Sequence, residues 1–239
     1  MSPRFLEKFP DYSSLLLSGP PGVGKFDYMM EALKAYLEAG QRVLFVSIDV
    51  SPTEVHSYVE RNGGDLSSYV GQSLLFIDSF TPSISDEVGA EPEGTILVSS
   101  FSNLEGLGMG IAKGAERLSV PLKVLFYTIS TLFLHNSPQS LSKFFQIVSA
   151  RVKTQMGLIL YATHEGVNEE KQENLLRSLV DGVLEMRFDG SMKREIRLHH
   201  LRGRRVDPRW FPFDERAEES TEVAPAKGVW SLGQGRREG

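Results

Sequence analysis

Cysteine is absent from all 239 residues, which excludes disulfides, thiolate metal sites and cysteine nucleophiles and fits a reducing compartment. Long apolar runs are absent too: the longest, Val124–Leu134, is too short and too hydroxylated to cross a bilayer. Positive charge is not in excess. The net charge is −5, so the molecule as a whole is no electrostatic trap for nucleic acid. No G-x-S-x-G segment occurs, which removes the hydrolase nucleophile elbow. His56, His135 and His164 lie in separate segments, and the adjacent His199 and His200 face opposite sides of a strand, so no metal site is predicted. The opening MSPRFLEKFPDYSS is mixed and proline-broken, unlike a signal peptide, and the expectation is a soluble cytoplasmic protein without membrane contact.

What is present alternates. Ser14–Ser18, Arg42–Asp49, Ser73–Phe80, Leu122–Ser130 and Gly157–Thr163 read as strands, nearly continuously apolar as in a sheet covered on both faces. Between them Lys25–Ala39, a segment from Pro52 to Asn62, Asn103–Leu118, Pro138–Lys153 and Glu170–Leu179 read as helices. Gly106, Gly108, Gly110 and Gly114 predict that the third of these approaches the sheet closely. Thr81–Gly94, rich in Pro, Gly, Ser and acid, reads as a surface loop. Gly182–Phe188 and Met192–Leu201 alternate and are joined through Asp189-Gly190, a hairpin signal. The pattern predicts an α/β fold, a three-layer, mostly parallel sheet with a C-terminal antiparallel hairpin. Residues 1–13 read as a lead-in, 14–214 as the α/β domain, and 215–239 as a flexible tail, acidic and then Gly- and Arg-rich, containing Trp230.

The first strand runs into Gly19-Pro20-Pro21-Gly22-Val23-Gly24-Lys25-Phe26-Asp27. This is the P-loop spacing G-x-x-x-x-G-K, in which glycine-permitted backbone angles let successive N–H groups curl around a phosphate at a helix N-terminus. Lys25 would reach the β/γ-phosphates of ATP or ADP. The Ser or Thr that should follow, and bind Mg²⁺, is Phe26. Asp27 adds a carboxylate where a phosphate is expected, a repulsion of about 1 kcal/mol in water and about 4 kcal/mol at an effective dielectric of 20 for charges about 4 Å apart. The same side chain is well placed to cap the helix.

Several segments in order, GPPGVGK, FVSIDVSPTEV, LLFIDSF, VLFYTISTL, YATHE, LVDGVLEM and REIRLHHLRG followed by WFPFD, resemble the RecA-like ATPases of the KaiC/RadA group over roughly Ser14 to Asp214. The resemblance implies a RecA-like core, ATP bound between subunits of a ring or filament, and basic residues supplied by the neighbour's final hairpin. It also exposes departures. Tyr127 stands where the group's strand-end Asp holds Mg²⁺. Asp49 stands where the group has a catalytic Glu, with Val50 in place of a common second Glu. His200-Leu201-Arg202 replaces the group's K-x-R, so His200 and Arg202 are the expected trans-acting pair. His164-Glu165 is a candidate γ-phosphate sensor. In that order Asp78 falls one strand too early for the metal and reads as a cap on a strand-end turn.

Losing both the hydroxyl and the acid argues against a Mg²⁺ site and against efficient hydrolysis. The leading expectation is a divergent KaiC/RadA-like protein with a degenerate ATP site. It would act as a regulatory or assembly subunit in a homo-oligomer or beside a related ATPase. An ATPase with a rearranged metal site, using Asp49 as base, is the alternative. So is a DNA-recombination accessory protein using the basic segment Lys193–Arg209. Period-2 reading of that segment puts Arg194, Ile196, Leu198, His200 and Arg202 on one face, with Lys193, Arg197 and His199 on the other.

Overall fold

The computed structural model describes residues 4–85, 89–167 and 169–213; the expected tail, with Trp230, lies outside them. The strands are β1 (Ser13–Gly19), β2 (Arg42–Ser47), β3 (Leu74–Asp78), β4 (Thr95–Leu97), β5 (Leu122–Tyr127), β6 (Gly157–His164), β7 (Gly182–Phe188), β8 (Arg194–Leu201) and β9 (Phe211–Pro212). They form one sheet in the order β4-β3-β2-β5-β6-β1-β7-β8-β9. β1 to β7 pair in parallel, and β8 and β9 are antiparallel, as the alternation and the hairpin signal predict.

Side chains alternate between two cores because successive residues of a strand face opposite sides. Leu15, Leu17, Val43, Phe45, Leu158 and Leu160 enter one core with α1 (Lys25–Glu38) and α2 (Pro52–Arg61). Leu16, Leu44, Val46, Ile159 and Tyr161 enter the other with α4 (Leu104–Leu118) and α6 (Pro138–Arg151). These are the three layers. Ser51 and Ser137 cap α2 and α6 by accepting from Glu54 N and Ser140 N, each followed by a proline in the first turn. Gly114 of α4 lies so near the sheet that a Cβ would come 2.6 Å from Leu44 Cδ1.

Three local readings need correction. The expected loop Thr81–Gly94 opens as a short helix, α3 (Phe80–Ile84), and the edge strand β4 follows it. The fourth expected strand stops at Tyr127; Ser130–His135 is helix α5. The helix expected to reach Lys153 loosens into a π-type turn, Val152–Met156. The helix α7 (Glu170–Leu179) stands as read.

Candidate nucleotide site

Parallel strands end at the same edge, so the carboxyl ends of β1, β2, β5 and β6 bring their following residues together. The loop after β1 enters α1 through Gly24, the N-cap, at φ 98°, a conformation that favours glycine. Lys25 is 2% exposed, and its Nζ donates to the carbonyl oxygens of Gly19 and Pro20, both at 2.6 Å. Burial lowers its pKa to about 8, with Glu165 pulling the other way. The ammonium therefore sits inside the loop, costly to hold charged and ready to transfer to an anion.

The two departures from the metal pattern touch one another. The Phe26 ring lies 5.1 Å from Tyr127 and 5.0 Å from Tyr58 of α2, centroid to centroid. Tyr127 in turn meets the His164 ring edge-on at 6.4 Å. Burial, then Asp49 and Asp27, raises the Tyr127 pKa, so its phenol stays protonated and cannot offer an anionic ligand. No group of three or more His, Asp or Glu able to hold a metal ion occurs among the described residues.

Asp49 follows β2 at this same edge. Its Oδ2 accepts from Thr128 Oγ1 and lies 3.8 Å from His164 Nε2. Its Oδ1, and Nδ1 of His164, are buried without a hydrogen-bond partner among the described residues. Asp78 is elsewhere: β2, β5 and β6 separate β3 from β1. Its Oδ1 accepts from Phe80 N (2.9 Å) and Thr81 N (3.0 Å), which caps the strand-end turn.

Asp27 does not cap α1, whose N-cap has no side-chain hydrogen bond. It accepts from Tyr58 OH at 2.8 Å and from the Arg194 guanidinium of β8. The capping expectation fails because a cation arrives from a distant strand and claims the carboxylate. The β7–β8 hairpin reaches the loop by a second route. Glu185 of β7 binds Arg177 and Arg197, and Arg177 continues to Ser18 Oγ (3.3 Å) and Glu165 (3.1 Å). Burial raises the Glu185 pKa, but the arginine hydrogen bonds outweigh it and the net shift is downward.

A family model described as "ATPase: KaiC" matches residues 4–227. The chain belongs to the KaiC ATPase family. Relatives include a UPF0273 protein of Thermotoga maritima, 24% identical over 233 residues, 95% of this chain and 92% of that protein. Another, from Aeropyrum pernix, is 26% identical over 216 residues, 86% of this chain and 83% of that protein. The crystal structure of a KaiC-like protein from Pyrococcus horikoshii shares the fold at TM-score 0.66 and 14% identity, covering 85% of this chain and 86% of that one.

The hairpin pair that resemblance to KaiC and RadA singles out is arranged differently from the period-2 reading. The β7–β8 register shifts between Val183 and Leu184, whose partners are His200 and Leu198. A residue is thereby skipped at His199, and Leu201, 4% exposed, takes the core face with Ile196 and Leu198. His200 and Arg202 leave that face. Arg202 Nη1 lies 2.9 Å from Asp181 Oδ1, and Nη2 donates to Val180 O at 3.3 Å. Burial, then His199 and Arg202, lowers the His200 pKa, leaving the ring neutral near pH 7.

Sequence reasoning missed Arg194, Tyr58 and Thr128 as members of this edge. Arg194 is 167 positions from Asp27, and no local pattern joins them. Thr128 carries a weak signal, the residue immediately after the strand-end position.

Proposed function

We propose that this KaiC-family chain binds ATP or ADP on the Gly19–Asp27 loop without a divalent ion, hydrolyses it weakly or not at all, and serves as a regulatory or assembly subunit. The observation that carries this is the ring contact between Phe26 and Tyr127. The donors at the loop do not fit Mg²⁺: an apolar ring and a protonated phenol stand where a hydroxyl and a carboxylate are needed. They do fit phosphate, through the Gly24 turn, the N-terminus of α1 and the buried Lys25 ammonium. The partner is a second copy of this chain or a related ATPase subunit, in a ring or filament. His200 and Arg202 of the neighbour would face the site once Arg202 leaves Asp181.

Phosphate release and nucleotide binding, measured together, test the reading. ATP binding that is lost in Lys25→Ala, with turnover no faster than the buffer rate, is the expected result. Turnover that requires Lys25 and disappears in Asp49→Asn favours the second reading, an ATPase using Asp49 as base. The buried Oδ1 of Asp49, without a hydrogen-bond partner among the described residues, supports that alternative, since an acceptor beside Thr128 and His164 could orient a water. Nucleic-acid binding has less support. Arg194, Arg197, Arg202 and Arg209 each pair with an acid of this chain, and Arg187 and Arg197 also lie over the Trp210 ring at 4.1 and 4.3 Å.

A further inference from the structure

The loop faces a problem of charge. A nucleotide bound without a divalent ion brings its full negative charge to the head of α1, where Asp27 adds another. Lys25 alone is one cation. Among the described residues, a cation from outside the motif, Arg194, lies against this point. A Cβ placed on Gly24 would collide with its guanidinium, and the ring of Phe213, 5.0 Å beneath the guanidinium, helps to fix it there. The Phe213 amide donates to Arg194 O at 2.9 Å, which ties the start of β8 to the residue after β9. Nη1 is bound to Asp27 Oδ2, and Asp27 Oδ1 accepts from Tyr58, so α2, α1 and β8 are joined across the loop by one polar chain. The two charged side chains are 27% and 31% exposed, so an anion arriving from solvent can reach them.

The geometry points to Arg194 as a phosphate ligand supplied by the same chain, latched by Asp27 until a nucleotide competes for it. Resting on the reading that the loop binds nucleotide, this names the cation that takes over part of the missing metal's electrostatic role. A guanidinium can exchange one pair of oxygens for another with little change in geometry, because carboxylate and phosphate suit the same fork. The exchange has a consequence for the fold: Asp27 keeps Tyr58 but loses the strand, and the β8–β9 end is then tied to the ligand. Nucleotide occupancy would thus be transmitted to the hairpin that also carries His200 and Arg202.

The test is a double-mutant cycle on the full chain, with ATP and ADP affinity measured by calorimetry in excess EDTA. Arg194→Gln is expected to weaken binding by roughly tenfold or more, the loss of one charge-assisted contact. Asp27→Asn is expected to tighten it more in the wild-type background, where it both removes repulsion and frees Arg194, than in the Arg194→Gln background, where only the repulsion of the phosphates is removed. Arg194→Lys, which keeps the charge, guards against a folding defect and should fall between wild type and Arg194→Gln. Equal tightening by Asp27→Asn in both backgrounds would mean simple repulsion and overturn the latch. Binding that is lost in Lys25→Ala yet unchanged in Arg194→Gln overturns the arginine's role and leaves the nucleotide reading intact. No ATP binding to the wild type overturns both.

Discussion

Lys25 is the residue on which a nucleotide account is most exposed to measurement. Burial lowers its pKa to about 8, so near neutral pH it is largely charged at a cost, and above pH 8 it is largely neutral. A bound phosphate favours the charged form and raises that pKa. Affinity for ATP should then be full below pH 8 and fall as pH rises through about 8 and beyond. Binding at pH about 8.5 should take up a proton, read as a dependence of the calorimetric heat on the buffer's ionisation enthalpy. A wild-type affinity that is flat from about pH 7 to 9.5 would show that Lys25 does not meet the phosphates. Phe26 is the other decisive residue, since its ring belongs to an aromatic group with Tyr58 and Tyr127, each pair worth about 0.5–1.5 kcal/mol beyond simple burial.

Among the elements, the β7–β8 hairpin is joined to the P-loop strand through Glu185, Arg177 and Ser18. Glu185→Gln should destabilise the protein by about 1–3 kcal/mol, toward the lower end because both arginines are about a quarter exposed. The Glu185 pKa is lowered in the folded state, so its contribution is fully present above its ordinary value of 4.5 and is lost as pH falls below it. Thermal melts of wild type and variant should therefore differ at pH 7 and converge in acid. A difference that stays constant or grows in acid would contradict the network. Much at this scale was legible in the chain. The five central strands, the helix opening at Lys25 and the Asp189-Gly190 hairpin all follow from periodicity and turn chemistry. β4 was not, because Thr95–Leu97 is three residues long and its identity as a strand comes from pairing with β3. Nor was the skipped residue at His199, since a bulge depends on how the partner strand is registered. That one residue changes which face His200 and Arg202 occupy.

For the whole molecule, the strand order β5-β6-β1 places the end of the fifth strand near the loop after the first and leaves Asp78 far away. The position of Tyr127 as the strand-end residue could be read from the order of motifs. Its contact with Phe26 could not, because a distance between two side chains 101 positions apart depends on the folded sheet. The same is true of Arg194 and Asp27. No helix of the described residues is long and apolar enough to cross a membrane. The central claim concerns the divalent ion, and calorimetric titration of the full chain with ATP, once in excess Mg²⁺ and once in excess EDTA, tests it most directly. The prediction is binding in both, with dissociation constants within about twofold of each other. Affinity that rises about tenfold or more when Mg²⁺ is present would contradict it.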